Sequence, residues 1–105
     1  MTFQITAPLL DACVLGIVDH EDVYGYVLTQ QFRNVMDVSE STLYPVLRRL
    51  QKSGFLTTYD RPFEGRNRRY YSITEEGKKI ICDYRKDWMD YTDALGELLG
   101  GAKNE

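Results

Sequence analysis

At 105 residues with 43% hydrophobic positions, the chain has the length of one domain and enough apolar residues for one modest core. No run approaches the roughly 20 consecutive apolar residues that span a bilayer, and Met1-Thr2-Phe3-Gln4 lacks the basic and then apolar layout of a secretion signal, so a soluble cytoplasmic protein is expected. The net charge of −3 excludes a surface that is basic throughout, yet seven arginines and lysines face three carboxylates between Ser39 and Tyr70, a local charge of +4 that leaves −7 for the remainder. Such asymmetry is the footprint of an anion-binding face on an acidic body.

The first element is an amphipathic helix entered from Pro8, with Leu9, Leu10, Cys13, Val14, Ile17 and Val18 at three- and four-residue steps. The acidic turn Asp19-His20-Glu21-Asp22 ends it, and His20, the single histidine, reads as a helix-end residue rather than a metal ligand. Cys13 and Cys82 form no CxxC pair and lie among apolar neighbours, so both read as buried free thiols.

A second helix is expected from Tyr24 to Val35, with Tyr24, Val27, Leu28, Gln31 and Phe32 along one side. Gly25 inside it would cost about 1 kcal/mol relative to alanine, which suggests close packing there. The third helix starts at Ser39 or Ser41 and stops at Gly54. Leu43, Val46, Leu47 and Leu50 share one face, while Ser41, Thr42, Pro45, Arg48, Arg49 and Lys52 collect opposite, with Tyr44 and Gln51 at the margin. Pro45 removes a hydrogen bond from a helix begun at Ser39, so either the start is nearer Ser41 or the first turn is distorted.

Two strand-like runs, 55–61 and 68–73, follow, joined by Pro62-Phe63-Glu64-Gly65-Arg66-Asn67, a β-hairpin with a basic tip. Thr74 then caps a long fourth helix with Glu75 and Glu76 in its first turn, at the positive end of the dipole.

Three short helices, the third with a polar outer face, then a basic hairpin, give the order of a winged helix-turn-helix, mainly α with a small β-hairpin. A helix fits the major groove and an arginine-bearing hairpin can lie along the minor groove or phosphates. Ser41, Thr42 and Tyr44, near the helix start, are the candidates for base edges. Arg48, Arg49 and Lys52 are candidates for phosphates, with Arg48 able to reach a guanine. On the hairpin Arg66 and Arg68 are assigned to DNA, because strand alternation lets only one of Arg68 and Arg69 face it.

Ile81, Tyr84, Trp88, Tyr91, Leu95 and Leu98 are spaced 3, 4, 3, 4 and 3 residues apart, a heptad seam along the fourth helix. From Thr74 to Leu99 that helix would be about 39 Å long, more than one small domain can cover, so the seam is expected to form a homodimer. The expected organisation is a DNA-binding domain over residues 1–73 and a C-terminal dimerisation helix with a short tail over 74–105. Tyr84, Trp88 and Tyr91 could also line a gap for a flat aromatic ligand where two such helices cross. A winged-helix module that docks a protein partner without DNA is the rival reading. No Ser/His/Asp set, phosphate loop or metal spacing suggests an enzyme, and no cofactor is expected.

Several motifs together resemble the PadR-like transcriptional regulators, of the short kind with a single C-terminal helix. They are Tyr24-Gly25-Tyr26, Thr42-Leu43-Tyr44-Pro45 followed by Leu47, Leu50 and Gly54, the wing from Gly65-Arg66 to Tyr70-Tyr71, and Ile73-Thr74-Glu75-Glu76-Gly77. The resemblance implies a bacterial repressor that binds a palindromic operator and is released by phenolic or drug-like molecules. It also matches Trp88, by its spacing after Thr74, to a tryptophan beside the drug site of a multidrug-sensing member. Thr6-Ala7-Pro8 departs from the family, which often carries a basic residue and a glycine before the first helix.

Overall fold

The computed structural model describes residues 3–100, so all of the expected tail but Gly100 lies outside the described residues. In chain order it holds α1 (Ala7–His20), β1 (Val23–Tyr24), α2 (Gly25–Val35), α3 (Glu40–Lys52), β2 (Leu56–Phe63), β3 (Arg66–Ile73) and α4 (Glu75–Leu99). The strands form one antiparallel sheet in the order β1-β3-β2. This is the winged helix-turn-helix with a long final helix that the sequence leads one to expect, with a third strand added.

Thr6 caps α1 by accepting from the Leu9 amide, and the helix buries Leu10, Val14, Leu15 and Val18. Both cysteines correct the reading from sequence: they are free, but Cys13 and Cys82 are exposed. The buried stripe of α1 is centred on Val14 and Val18, which leaves Cys13 on the flank beside half-buried Leu9 and Ile17.

Tyr24 is likewise a strand residue and the N-cap of α2 rather than its first turn. Its neighbour Gly25 therefore opens the helix instead of interrupting it. The close packing expected there is real, but its partner is the sheet: a Cβ on Gly25 would lie 3.3 Å from the Tyr71 ring. Thr29 is fully buried, and its hydroxyl donates to the Tyr26 carbonyl at 2.8 Å, so no polar group is stranded.

Ser39 caps α3 and the helix runs through Pro45, buried on the Leu43, Val46, Leu47 and Leu50 face. The helix starts at Glu40, and the Ser41 carbonyl left without its amide partner belongs to an exposed residue that water can satisfy. Gly54, at φ +86°, ends α3: its amide donates to Gln51 O and that of Phe55 to Leu50 O, the paired bonds of a Schellman turn.

The hairpin is tighter than its proline and glycine suggest. Phe63 pairs with Arg66, leaving Glu64 and Gly65 as a two-residue turn with φ values of 51° and 80°. Positive φ at both positions is the pattern of a type I′ turn, whose twist suits the strands it joins. Pro62 is tolerated because β2 is an edge strand.

Thr74 accepts from the Gly77 amide at 3.0 Å to cap α4 and donates to Gly54 O at 2.7 Å, which ties the start of α4 to the end of α3. Only Gly77 and Ile81 of α4 are buried, with Ile80 and Tyr84 packed half-buried against the core; beyond them the helix continues past it and extends the described residues along their 55 Å long axis.

Candidate nucleic-acid interface

Around α3, at about 100° per residue, the strip diametrically opposite the four buried residues consists of Ser41, Pro45, Arg48 and Lys52. All four are exposed. The other candidates fall on the two flanks. Tyr44 and Gln51 turn toward the sheet: the Gln51 amide donates to the Thr58 hydroxyl at 3.4 Å, and Tyr44 lies against Gly25 and is half-buried. Burial is the first cause that raises the Tyr44 hydroxyl above its ordinary pKa, with Glu40, Tyr71 and Tyr24 adding to it. Thr42 and Arg49 lie on the opposite flank, where Arg49 is ion-paired with Asp11 of α1.

At the start of α3 three hydroxyls interlock. Ser39 Oγ is 2.9 Å from Ser41 Oγ and 3.1 Å from Thr42 Oγ1, while also accepting from the Thr42 amide. Ser41 and Thr42 are exposed and carry no charge, so they can hydrogen-bond a base edge without the desolvation cost of an ion.

Strand alternation and the two-residue turn sort the wing into two faces. Tyr59, Arg61 and Phe63 of β2 pair in register with Tyr70, Arg68 and Arg66 of β3, and all six share the outer face. There the Tyr59 and Tyr70 rings stack at 5.6 Å, and the Arg68 guanidinium lies 3.6 Å from the Phe63 centroid and 4.7 Å from that of Tyr24. On the inner face Arg69 is 3.5 Å from Asp60, and Tyr71 is buried. Burial raises the Tyr71 hydroxyl pKa while the positive charges of Arg69 and Arg48 oppose the rise. Arg66 and Arg68, the two wing residues singled out from sequence, thus share a face that Arg69 does not.

The seam of α4 divides by depth. Ile81 is only 3% exposed and belongs to the core of its own chain, so it has no side-chain surface to offer a partner. Tyr84 and Leu95 are half-buried, whereas Trp88, Tyr91 and Leu98 are 48%, 53% and 84% exposed. Trp88 and Tyr84 border an open apolar hollow of about 450 Å³ with Leu9 and Cys13 of α1, and with Tyr91 they border a second of about 320 Å³. The Trp88 and Tyr91 rings are 6.3 Å apart and tilted by 50°. Arg85 is ion-paired with Asp19 at 3.1 Å, which fastens α4 to α1 as Arg49–Asp11 fastens α3.

Two features escape a reading by composition and periodicity. Arg61 stands opposite Arg68 at the ends of the two expected strands, but that it shares a face with Arg66 follows only when the pairing continues to Phe63 and Arg66. Asp11 engages Arg49 across 38 positions of sequence, and no local pattern announces such a pair.

The pattern of the PadR-like transcriptional regulator family matches residues 14–82. Transcriptional regulator Rv3488 of Mycobacterium tuberculosis is 37% identical over 91 residues, covering 83% of this chain and 82% of that protein. Among solved structures, smu.1704 from Streptococcus mutans superposes with a TM-score of 0.86 at 35% identity, covering all of both chains. A PadR-like transcriptional regulator from Bacillus cereus does so with a TM-score of 0.81 at 31% identity, covering 90% of this chain and 94% of that one. With the polar strip of α3 and the arginine-bearing wing in place, the chain belongs to the PadR-like family of DNA-binding transcriptional regulators.

Proposed function

We propose that the protein is a cytoplasmic repressor that binds a palindromic operator as a homodimer and is modulated by a small aromatic ligand. The observation that carries this reading is the pairing of one polar strip, Ser41, Pro45, Arg48 and Lys52, with an α4 whose distal aromatic residues stay about half exposed in their own chain. The strip gives a major-groove face; the uncovered helix calls for a second copy. A two-fold axis through α4 then presents two recognition helices to two half-sites about 34 Å apart.

In this reading residues 1–73 hold the DNA and α4 holds the dimer. Ser41, Thr42 and Tyr44 meet base edges, Arg48 and Lys52 meet phosphates or a guanine, and Arg66 and Arg68 carry the wing. Arg49 reaches a phosphate only by leaving Asp11. Tyr84, Trp88 and Tyr91 supply flat apolar surface for the effector, which shifts the angle between the two α4 helices and so the spacing of the half-site readers.

Selection of bound duplexes from a random pool at near-physiological salt tests the reading. Enrichment of an inverted repeat with half-sites about one helical turn apart supports it. Failure of a folded, dimeric protein to enrich any sequence overturns it.

A further inference from the structure

Arg61 and Arg68 are directly opposed across β2 and β3 on the outer face of the wing. Side chains so paired have Cβ atoms about 5 Å apart, and like charges in that position repel. Neither guanidinium has a carboxylate partner among the described residues, in contrast to Arg69 on the inner face, which has Asp60. Asp22, on the β1 side of this face, is held by the Tyr59 hydroxyl at 2.7 Å.

Aromatic rings hold the two cations in place instead. The Arg61 guanidinium lies 5.3 Å from the Tyr70 centroid and 5.7 Å from that of Tyr59, while Arg68 lies between Phe63 and Tyr24. A guanidinium laid on a ring is attracted through its plane, and its five N–H donors, which lie in that plane, remain free to bond at the edge. The pair is therefore pre-organised, rooted side by side on adjacent strands, without a carboxylate partner among the described residues and partly solvent-accessible. Those are the requirements of a site for one anion, whose charge would relieve the repulsion and whose oxygens would take donors from both forks. On the same face Arg66 stands at the tip, so the cations continue to the end of the hairpin.

We propose that Arg61 and Arg68 form a phosphate clamp on the outer face of the wing, holding one backbone phosphate of bound DNA between them. The source of the phosphate rests on the DNA-binding reading above. The clamp positions the duplex and carries no sequence information, because a phosphate is the same at every step. Arg61 thereby joins the interface as a contact residue, and the stacked tyrosines become its support.

The test is the salt dependence of affinity for a fluorescent duplex of random sequence, compared between the wild type and the Arg61→Gln/Arg68→Gln double variant. For a dimer with a wing on each half-site, one shared phosphate per wing predicts that the slope of log K against log salt falls in magnitude by about two and that affinity drops roughly a hundredfold at physiological salt. Unchanged slope and affinity overturn the clamp. A fall of about four means two separate phosphates at each wing, and overturns it as well.

Amide spectra report whether the double variant keeps its hairpin. If it does not, Arg61→Lys keeps the charge but loses the planar fork. The clamp then predicts severalfold weaker binding at an unchanged slope, and wild-type affinity overturns it. Should the wild type bind no duplex at all, the DNA reading fails separately. Titration with inorganic phosphate, followed at the Nε–H resonances of Arg61 and Arg68, then decides: shifts at both sustain an anion site, and shifts at neither remove it.

Discussion

A Cβ added to Gly77 would lie 2.3 Å from the carbonyl oxygen of Phe55 and 2.7 Å from Cγ1 of Ile73, so α4 crosses the base of the wing at a distance only glycine allows. Helix propensity by itself favours alanine at this position by about 1 kcal/mol. The clash is with backbone, which cannot rotate away as a flexible side chain would, and overpacking of this kind costs about 1–3 kcal/mol or more. The clash should win: Gly77→Ala is expected to lower unfolding free energy by about 2 kcal/mol in urea titration. A variant as stable as the wild type would mean that α4 shifts on the wing at little cost.

The Asp11–Arg49 pair joins α1 to α3 and takes one cation off the candidate DNA face. Half-exposed on the arginine side and mostly buried on the aspartate side, it is worth about 1 kcal/mol or less to stability, so its main effect is on where Arg49 points. Asp11→Asn should leave the melting temperature within a few degrees of wild type and tighten duplex binding severalfold. The same substitution in an Arg49→Ala background should do almost nothing. Equal tightening in both backgrounds would show that only the removal of a negative charge matters, and that Arg49 is not released.

The fold itself was largely legible. The spacing of Leu43, Val46, Leu47 and Leu50 defines α3, and the Ser39 and Gly54 boundaries follow from cap chemistry that acts over three or four residues. The two-residue strand Val23–Tyr24 was hidden because it is too short to show alternation and merges with the helical pattern after it. The hairpin is legible too, but its turn reads too long, because Pro62 and Asn67 look like loop residues until the edge position of β2 is known. At the candidate site, Ser41, Arg48 and Lys52 could be assigned to one outward strip by rotation alone. The flanks could not, since whether Arg49 faces solvent or Asp11 depends on how α1 packs. The same holds for Cys13 and Ile81, whose apolar surroundings in sequence do not say which side of a helix meets its own core.

Four tyrosines, Tyr44, Tyr59, Tyr71 and Tyr84, have hydroxyl pKa values raised above the ordinary 10.0. Burial leads at Tyr44, Tyr71 and Tyr84, and the hydrogen bond to Asp22 leads at half-buried Tyr59. A raised pKa means that the folded chain keeps protons the unfolded chain has released, so stability is fully present below about pH 10 and falls as pH rises through the folded-state values. Denaturant midpoints between about pH 8 and about pH 11 should therefore decline, the decline beginning near the unfolded tyrosine value. Tyr71→Phe, which removes the tyrosine most embedded in the core, should flatten that slope. A slope identical to wild type would move the effect to other groups.

Along α4, Ile81 and Leu98 carry the same apolar seam yet should respond in opposite ways to truncation. Ile81 is 3% exposed and packs within its own chain, so Ile81→Ala removes core contacts and should cost about 2–5 kcal/mol of folding stability whatever the oligomeric state. Leu98 is 84% exposed and Trp88 48%, so truncating both to alanine removes little from the protomer's core. If these residues meet a second copy, the loss falls on association instead. A buried interfacial tryptophan is commonly worth about 2–4 kcal/mol, which corresponds to a dimer roughly 30-fold to 1,000-fold weaker. Sedimentation over a dilution series should show the Trp88→Ala/Leu98→Ala protein dissociating at concentrations where the wild type and the still-folded fraction of Ile81→Ala remain paired. A wild type that sediments as a monomer throughout would leave the exposed seam without its proposed partner, and the two-half-site geometry would fall with it.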